Sequence, residues 1–284
     1  MAEPSSNSDK PWYKKVDLIE RGNRSPTPWG TLTFIGLRLA DLPLQHALLS
    51  PSGLGSTLLS RAGVSAVAVA PAVLRTGIPL LDVLGHPTNA LLFVFACGSA
   101  AKQIYWQTFL SYESFPAGAA LAVALYNTVM NSTNGLLSLV PRTSSLFSQP
   151  QVTLSLPFLS TPVSLPLSTV LGTILYAAGL TLETVSERQR KSFKDDPKNK
   201  GKLCKVGVWR WARHVNYLGY SLWRGGYAMV ATGWIGGLAM MSWQMWDLSH
   251  RAAAVLDGYC TDKYKEQWAQ YKREVPYKIL PGIY

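Results

Sequence analysis

Charge is scarce in this chain. Only 15% of its 284 residues are Asp, Glu, Lys or Arg, while 48% are hydrophobic; a soluble domain carries about 25% charged residues. That shortage, with 10 Trp and 13 Tyr, excludes disorder and argues against a soluble enzyme. Cysteine is scarce as well. Cys97, Cys204 and Cys260 lie far apart without a C-x-x-C spacing, which rules out a disulfide framework and predicts no metal site. No G-x-G-x-x-G follows a strand pattern, so the chain is not a Rossmann oxidoreductase. Residues 1–30 are polar, contain Pro11, Pro26 and Pro28, and lack the apolar core of a signal peptide. They read as an uncleaved tail.

What charge there is comes in clusters. The mean hydropathy of +0.08 hides long apolar runs. Ten Lys or Arg fall within 188–213 and six more within 251–278, carrying most of the formal charge of +11. Basic loops between apolar runs are the pattern of a polytopic membrane protein with its basic side in the cytosol. A nucleic-acid binder would need a basic soluble face, for which the apolar runs leave no room. The expected partners are therefore membrane lipids and a lipid-like substrate, with no nucleic acid and no protein partner evident.

A membrane-spanning helix needs about 20 mostly apolar residues. Five stretches before the basic loop qualify: 31–50 (the weakest, with Arg38, Asp41 and His46), 63–84, 89–110, 115–140 and 167–182. Two more, 217–232 and 234–248, meet at Gly233. The Ser- and Pro-rich stretch 141–166 reads as a loop, partly extended. The predicted fold is an all-α polytopic bundle of six or seven helices. It divides into a tail (1–30), N-terminal helices with the Ser/Pro-rich loop (31–166) and a cofactor-binding region (167–284). Five spans before the loop would put the basic N-terminal tail on the opposite side, against the charge rule. Arg224, midway along 217–232, is an expensive charge in such a place; it snorkels, pairs with a carbonyl, or faces a cavity for an anionic ligand.

The C-terminal third holds the chemistry. Gln189-Arg190-Lys191-Ser192-Phe193-Lys194 precedes Trp209 and then Arg213-His214-Val215-Asn216-Tyr217-Leu218-Gly219. Lys263-Tyr264, Trp268, Tyr271 and a terminal Val275-Pro276-Tyr277-Lys278-Ile279-Leu280-Pro281-Gly282-Ile283-Tyr284 follow. Arginine offers a planar fork for phosphate, His, Asn and Tyr offer directional hydrogen bonds, and Trp209 a ring for stacking. The bland alternative is a juxtamembrane basic loop meeting anionic lipid.

In order and spacing, residues 179–284 resemble the C-terminal region of the membrane sterol reductases. These are the sterol C14 and C24(28) reductases and the lamin B receptor, with the related DUF1295-type family and the steroid 5α-reductases. The resemblance implies an endoplasmic-reticulum enzyme with a cytosolic C-terminal tail, using NADPH to saturate a carbon–carbon double bond of a sterol, steroid or other lipid. It places the cofactor on Arg190, Lys194, Trp209, Arg213, His214, Asn216, Tyr217, Lys263, Tyr264 and Tyr271. The chain departs from the family at Val215, where proline is usual, and at Tyr220, where an acid is usual. It also has Asp257-Gly258-Tyr259 ahead of Cys260, where an Arg-Asp-Glu run is usual. With the acid gone, Tyr220, or failing it Tyr217 or Tyr264, is the candidate proton donor. Two rivals stand: an S-adenosylmethionine-dependent isoprenylcysteine-type methyltransferase, whose Glu-Glu pair this chain lacks, and a degenerate scaffold that only binds.

Overall fold

The computed structural model describes residues 11–284 except 18, 20, 68–73, 158 and 160. After a short α1 (Trp12–Val16), α2 (Pro28–Leu49) covers the weakest of the sequence's spans. Proline opens it where no amide partner is needed. Its polar residues Arg38, Asp41 and Gln45 are buried, while Leu32 and Leu39 face outward. The predicted span 63–84 does not form. Helix α3 (Leu54–Arg61) precedes it, the described residues 64–67 and 74–78 are not helical, and the single turn α4 (Pro79–Asp82) follows. Positive φ at Gly63 and Gly77 and the ring of Pro79 interrupt a helical ladder there, and Pro71 lies outside the described residues. Then come α5 (Pro87–Tyr105), α6 (Ala117–Leu139) and α7 (Leu167–Asp195). Between α6 and α7 the Ser/Pro-rich stretch forms an antiparallel pair, β1 (Gln151–Leu154) and β2 (Val163–Pro166), a small sheet the all-α reading did not contain. Helix α7 runs on through what the sequence suggested was loop, so residues 188–195 are helical.

The last long element, α8 (Val215–Asp247), is two helices folded back on each other at Gly233, which alone has non-helical backbone angles (φ 72°). Glycine is required there because a side chain resists positive φ. The reversal brings Gly225 against Met241 and Gly237 against Met229. Short helices α9 (Ala253–Tyr264) and α10 (Glu266–Glu274) finish the chain.

Helices α7 and α8 cross on glycines seven residues apart. A Cβ on Gly226 would lie 2.5 Å from Gly172 O, and one on Gly219 would lie 2.6 Å from the Glu183 nitrogen. This backbone contact fixes the N-terminal mouth of α8 against the charged half of α7. Above it, Tyr176 stacks on Phe95 (3.8 Å between ring centroids) and Tyr227 donates to Leu92 O (2.9 Å), so the core joins α5 to both partners.

Among the described residues, one helix, Leu167–Asp195, is long and apolar enough to cross a membrane by length and hydropathy. Polar side chains are buried between the helices beside this core, and apolar ones face outward. On α6, Asn127, Asn131 and Asn134 are buried, whereas Leu121, Leu125 and Val129 are exposed; Ile174 on α7 and Ile235 on α8 are exposed too, the latter by 85%. The chain order gives the bundle two ends. Residues 23–27 bond to Ser114 and Phe115 at the end that also holds the last turns of α7, α9 and α10. Ser145 donates to Val230 O at the other, beside the Gly233 turn. The described part of the N-terminal tail thus shares an end with the basic segments, because the described residues of 63–84 form no helix that runs the length of the bundle.

Candidate functional site

At the basic end the elements enclose a cavity of about 540 Å³. Helix α7 presents Glu183, Glu187, Arg190 and Lys194 at intervals of four, three and four, which places them on one helical face. Glu187, 4% exposed, accepts from Arg190 Nη2 at 2.5 Å and from Asn216 Nδ2 at 3.0 Å. Glu183 accepts from Trp223 Nε1 at 2.7 Å and pairs with Lys102. These two acids order the mouth of α8. Neither acid is among the candidate site residues of the sequence analysis, although their spacing with Arg190 and Lys194 is visible in the sequence.

Nine of the ten residues to which cofactor contacts were assigned line the cavity; Tyr217 does not. Arg190 lies over Trp209 (6.0 Å). Lys194 Nζ donates to Lys202 O and Tyr264 Oη, both at 2.7 Å. Burial, followed by repulsion from Lys263, lowers its pKa to about 8. Lys263 donates to Tyr259 Oη at 2.6 Å.

Several residues also perform structural duties the sequence did not suggest. Trp209 is buried with Nε1 on Ser186 O (3.0 Å), and its carbonyl accepts from Tyr271 Oη (2.6 Å). Arg213 Nη1 donates to Val275 O and Pro276 O at 2.7 and 2.8 Å, pinning the C-terminal tail, while its Nε has no partner. His214 is buried and stacked on Tyr217 (5.2 Å, 9°). Desolvation, reinforced by Arg213 and Lys278, lowers its pKa to about 3, so the ring is neutral at physiological pH. Asn216 keeps Oδ1 free.

The two tyrosines named for catalysis lie off this cavity. Tyr217 is occupied with His214. Tyr220 sits three residues deeper, about 4.5 Å along the helix, where its hydroxyl accepts from Arg224 Nε at 3.2 Å. Arg224 also bonds to Asn127, lies 4.4 Å over Trp223, and leaves Nη1 without a partner. The altered acid position is filled as well: Asp257 accepts from Trp268 Nε1 at 2.8 Å.

The wall is strongly cationic. Arg21, Arg24, Arg190, Lys191, Lys194, Lys200, Arg213 and Lys263 face it against the carboxylates Glu113 and Asp196. Arg21, Arg24, Tyr112 and Glu113 come from outside the C-terminal third, and nothing in the sequence's periodicity marks them. The unpartnered donors Arg213 Nε and Tyr112 Oη, with this excess of cations, fit a polyanionic nucleotide such as NADPH, and Asn216 Oδ1 is left to accept from a donor on the ligand.

A family model described as a protein of unknown function (DUF1295) matches residues 146–275. A protein named probable O-methyltransferase ustE, from Ustilaginoidea virens, is 34% identical over 252 residues, spanning 88% of this chain and 84% of that protein. A Delta(14)-sterol reductase from Arabidopsis thaliana is 32% identical over 133 residues, and one from Neurospora crassa 28% over 158. Each of these two matches 40% of this chain, which spans 34% and 32% of their respective lengths.

Proposed function

The chain belongs to the sterol reductase-like DUF1295 family, and from its site we propose that it is a membrane-embedded, NADPH-dependent reductase. It saturates a carbon–carbon double bond of a lipid-like substrate. The observation that carries this reading is the charge of the cavity: eight Lys or Arg line it against two carboxylates, and five of the eight, Arg24, Lys194, Lys200, Arg213 and Lys263, pair with no carboxylate among the described residues. NADPH is a polyanion and gains from that excess. S-adenosylmethionine carries a sulfonium and an ammonium against one carboxylate and would be repelled.

Arg190, Lys194 and Lys263 hold the phosphates, and Tyr264 and Trp268 offer ring faces. Bound NADPH supplies a hydride. Glu187 orients Arg190 and Asn216 from behind. Neutral His214 supports Tyr217 without adding charge. Deeper along α8, Tyr220 Oη already accepts from Arg224, which leaves its own proton to give to the substrate. Arg224, paired with no carboxylate among the described residues, stabilises negative charge arising on the substrate there. The apolar outward-facing side chains support a six-crossing bundle in a membrane, which we take by resemblance to the sterol reductases to be that of the endoplasmic reticulum. The basic end and both ends of the described chain then lie in the cytosol.

Methyl transfer is the second reading, favoured by the 34% identity to the protein named as an O-methyltransferase. Binding separates the two. Purified protein in detergent is expected to bind NADPH saturably, with S-adenosylmethionine failing to displace it. Displacement by S-adenosylmethionine, or binding of it alone, overturns the reductase.

A further inference from the structure

Residues 21–27 run along the turn between α5 and α6 and present a side chain to the cavity in a fixed place. Ser114 donates its amide to Asn23 O (2.9 Å) and its hydroxyl to Ser25 O (2.8 Å). The carbonyls on both sides of Arg24 are therefore tied to one residue. Phe115 N adds a bond to Thr27 Oγ1 (3.0 Å). So held, the Arg24 guanidinium lies 5.0 Å from the Tyr112 ring centroid, and Lys191 Nζ lies 4.0 Å from the same centroid.

Two cations gathered on one ring repel each other unless something negative joins them. Neighbouring acids do not fill that role for Arg24. Glu113 takes Arg21 (3.6 Å) and the Gly22 amide (3.3 Å), Asp195 takes Lys191 (3.2 Å), and no carboxylate among the described residues pairs with Arg24. Tyr112 Oη is buried without a hydrogen-bond partner. All three residues line the cavity. Lys191 is also turned about 100° around α7 from Arg190, so the two neighbours serve different parts of a ligand: Arg190 lies over Trp209 and Lys191 over Tyr112.

We propose that Arg24, Lys191 and Tyr112 form a subsite for a phosphomonoester, the 2′-phosphate of the dinucleotide, and so select NADPH over NADH. This rests on the cofactor reading above and adds its specificity. A phosphomonoester brings close to two negative charges and three acceptor oxygens. Two cations and one hydroxyl match that demand, whereas each pyrophosphate phosphorus carries a single charge. Arg24 and Tyr112 lie outside the stretch matched by the family model and Lys191 lies within it, so the N-terminal part of the chain supplies two of the three selecting groups.

The test measures dissociation constants of NADPH and NADH for the full-length protein in detergent. The variants are Arg24→Ala and Tyr112→Phe, each checked for an unchanged thermal midpoint. Wild-type protein prefers NADPH. Arg24→Ala is expected to weaken NADPH about tenfold, the scale of one charge-assisted contact, and to leave NADH within about twofold. Tyr112→Phe keeps the ring and loses only the hydroxyl, so NADPH weakens about threefold. Equal losses for both dinucleotides with Arg24→Ala, or no loss, overturn the subsite. If the wild-type protein binds neither dinucleotide, the cofactor reading itself falls, a result distinct from failure of the subsite alone.

Discussion

Asn216 Nδ2 donates to Glu187 Oε1 at 3.0 Å, tying the mouth of α8 to the buried acid of α7. The same carboxylate takes Arg190 through its other oxygen. Removing it strands a partly buried amide and a partly buried guanidinium. Glu187→Ala is expected to cost roughly 1–3 kcal/mol, seen as a lower thermal midpoint, and to weaken NADPH. Glu187→Gln keeps an acceptor for Asn216 and should lose less. Equal stability of Glu187→Ala and wild type would refute this role.

The glycine crossing makes a sharper prediction. A side chain on Gly179 would strike the Trp223 amide and sit 2.6 Å from Gly219 O. Gly179→Leu should therefore cost at least about 3 kcal/mol or yield no folded protein. Gly36, midway along α2, has open space where its Cβ would stand, and Gly36→Ala should stabilise by about 0.5–1 kcal/mol. Thermal unfolding of the pair in one detergent checks both, and a tolerated Gly179→Leu would contradict the close packing.

Acid–base behaviour separates Lys194 from His214. With its pKa lowered to about 8, Lys194 loses charge between pH 7 and 9. Affinity for NADPH should fall over that range, and binding at pH 8.5 should take up a proton, measurable by calorimetry in buffers of different ionisation enthalpy. Lys194→Arg should flatten the fall. In folding, the unfolded chain holds this proton between pH 8 and the ordinary lysine value while the folded chain does not, so stability rises with pH across that window. His214, lowered to about 3, stays neutral in the folded chain. Its contribution is complete above about pH 6.5, the unfolded value, and is lost as pH falls from there toward 3. NADPH affinity should show no inflection assignable to His214 between pH 5.5 and 7.5.

Sequence alone determined the helical class, most long helices, the reversal at Gly233 and the residues of the C-terminal motif. These are local matters: apolar runs of spanning length, a glycine where the backbone turns, and a family pattern written in consecutive residues. It did not reveal that 63–84 breaks up, and it ranked 31–50, with Arg38 and Asp41 inside it, as the weakest span although a complete helix forms there. A buried Arg38–Asp41 pair 2.8 Å apart removes the cost that made that stretch look weakest, and such pairing depends on which face turns inward.

The site was legible in the same uneven way. Arg190, Lys194 and Asn216 could be named from the motif, but not the duties of Arg213 on the tail or Tyr217 on His214. Still less could Arg24 and Tyr112 be placed, since they reach the cavity only because α2, α5 and α6 return the chain to one end. Which residues carry charge is a property of the sequence. Which charges meet is decided by helices packing on glycine and by the number of times the chain crosses the bundle, because attraction and repulsion act across space and not along the backbone.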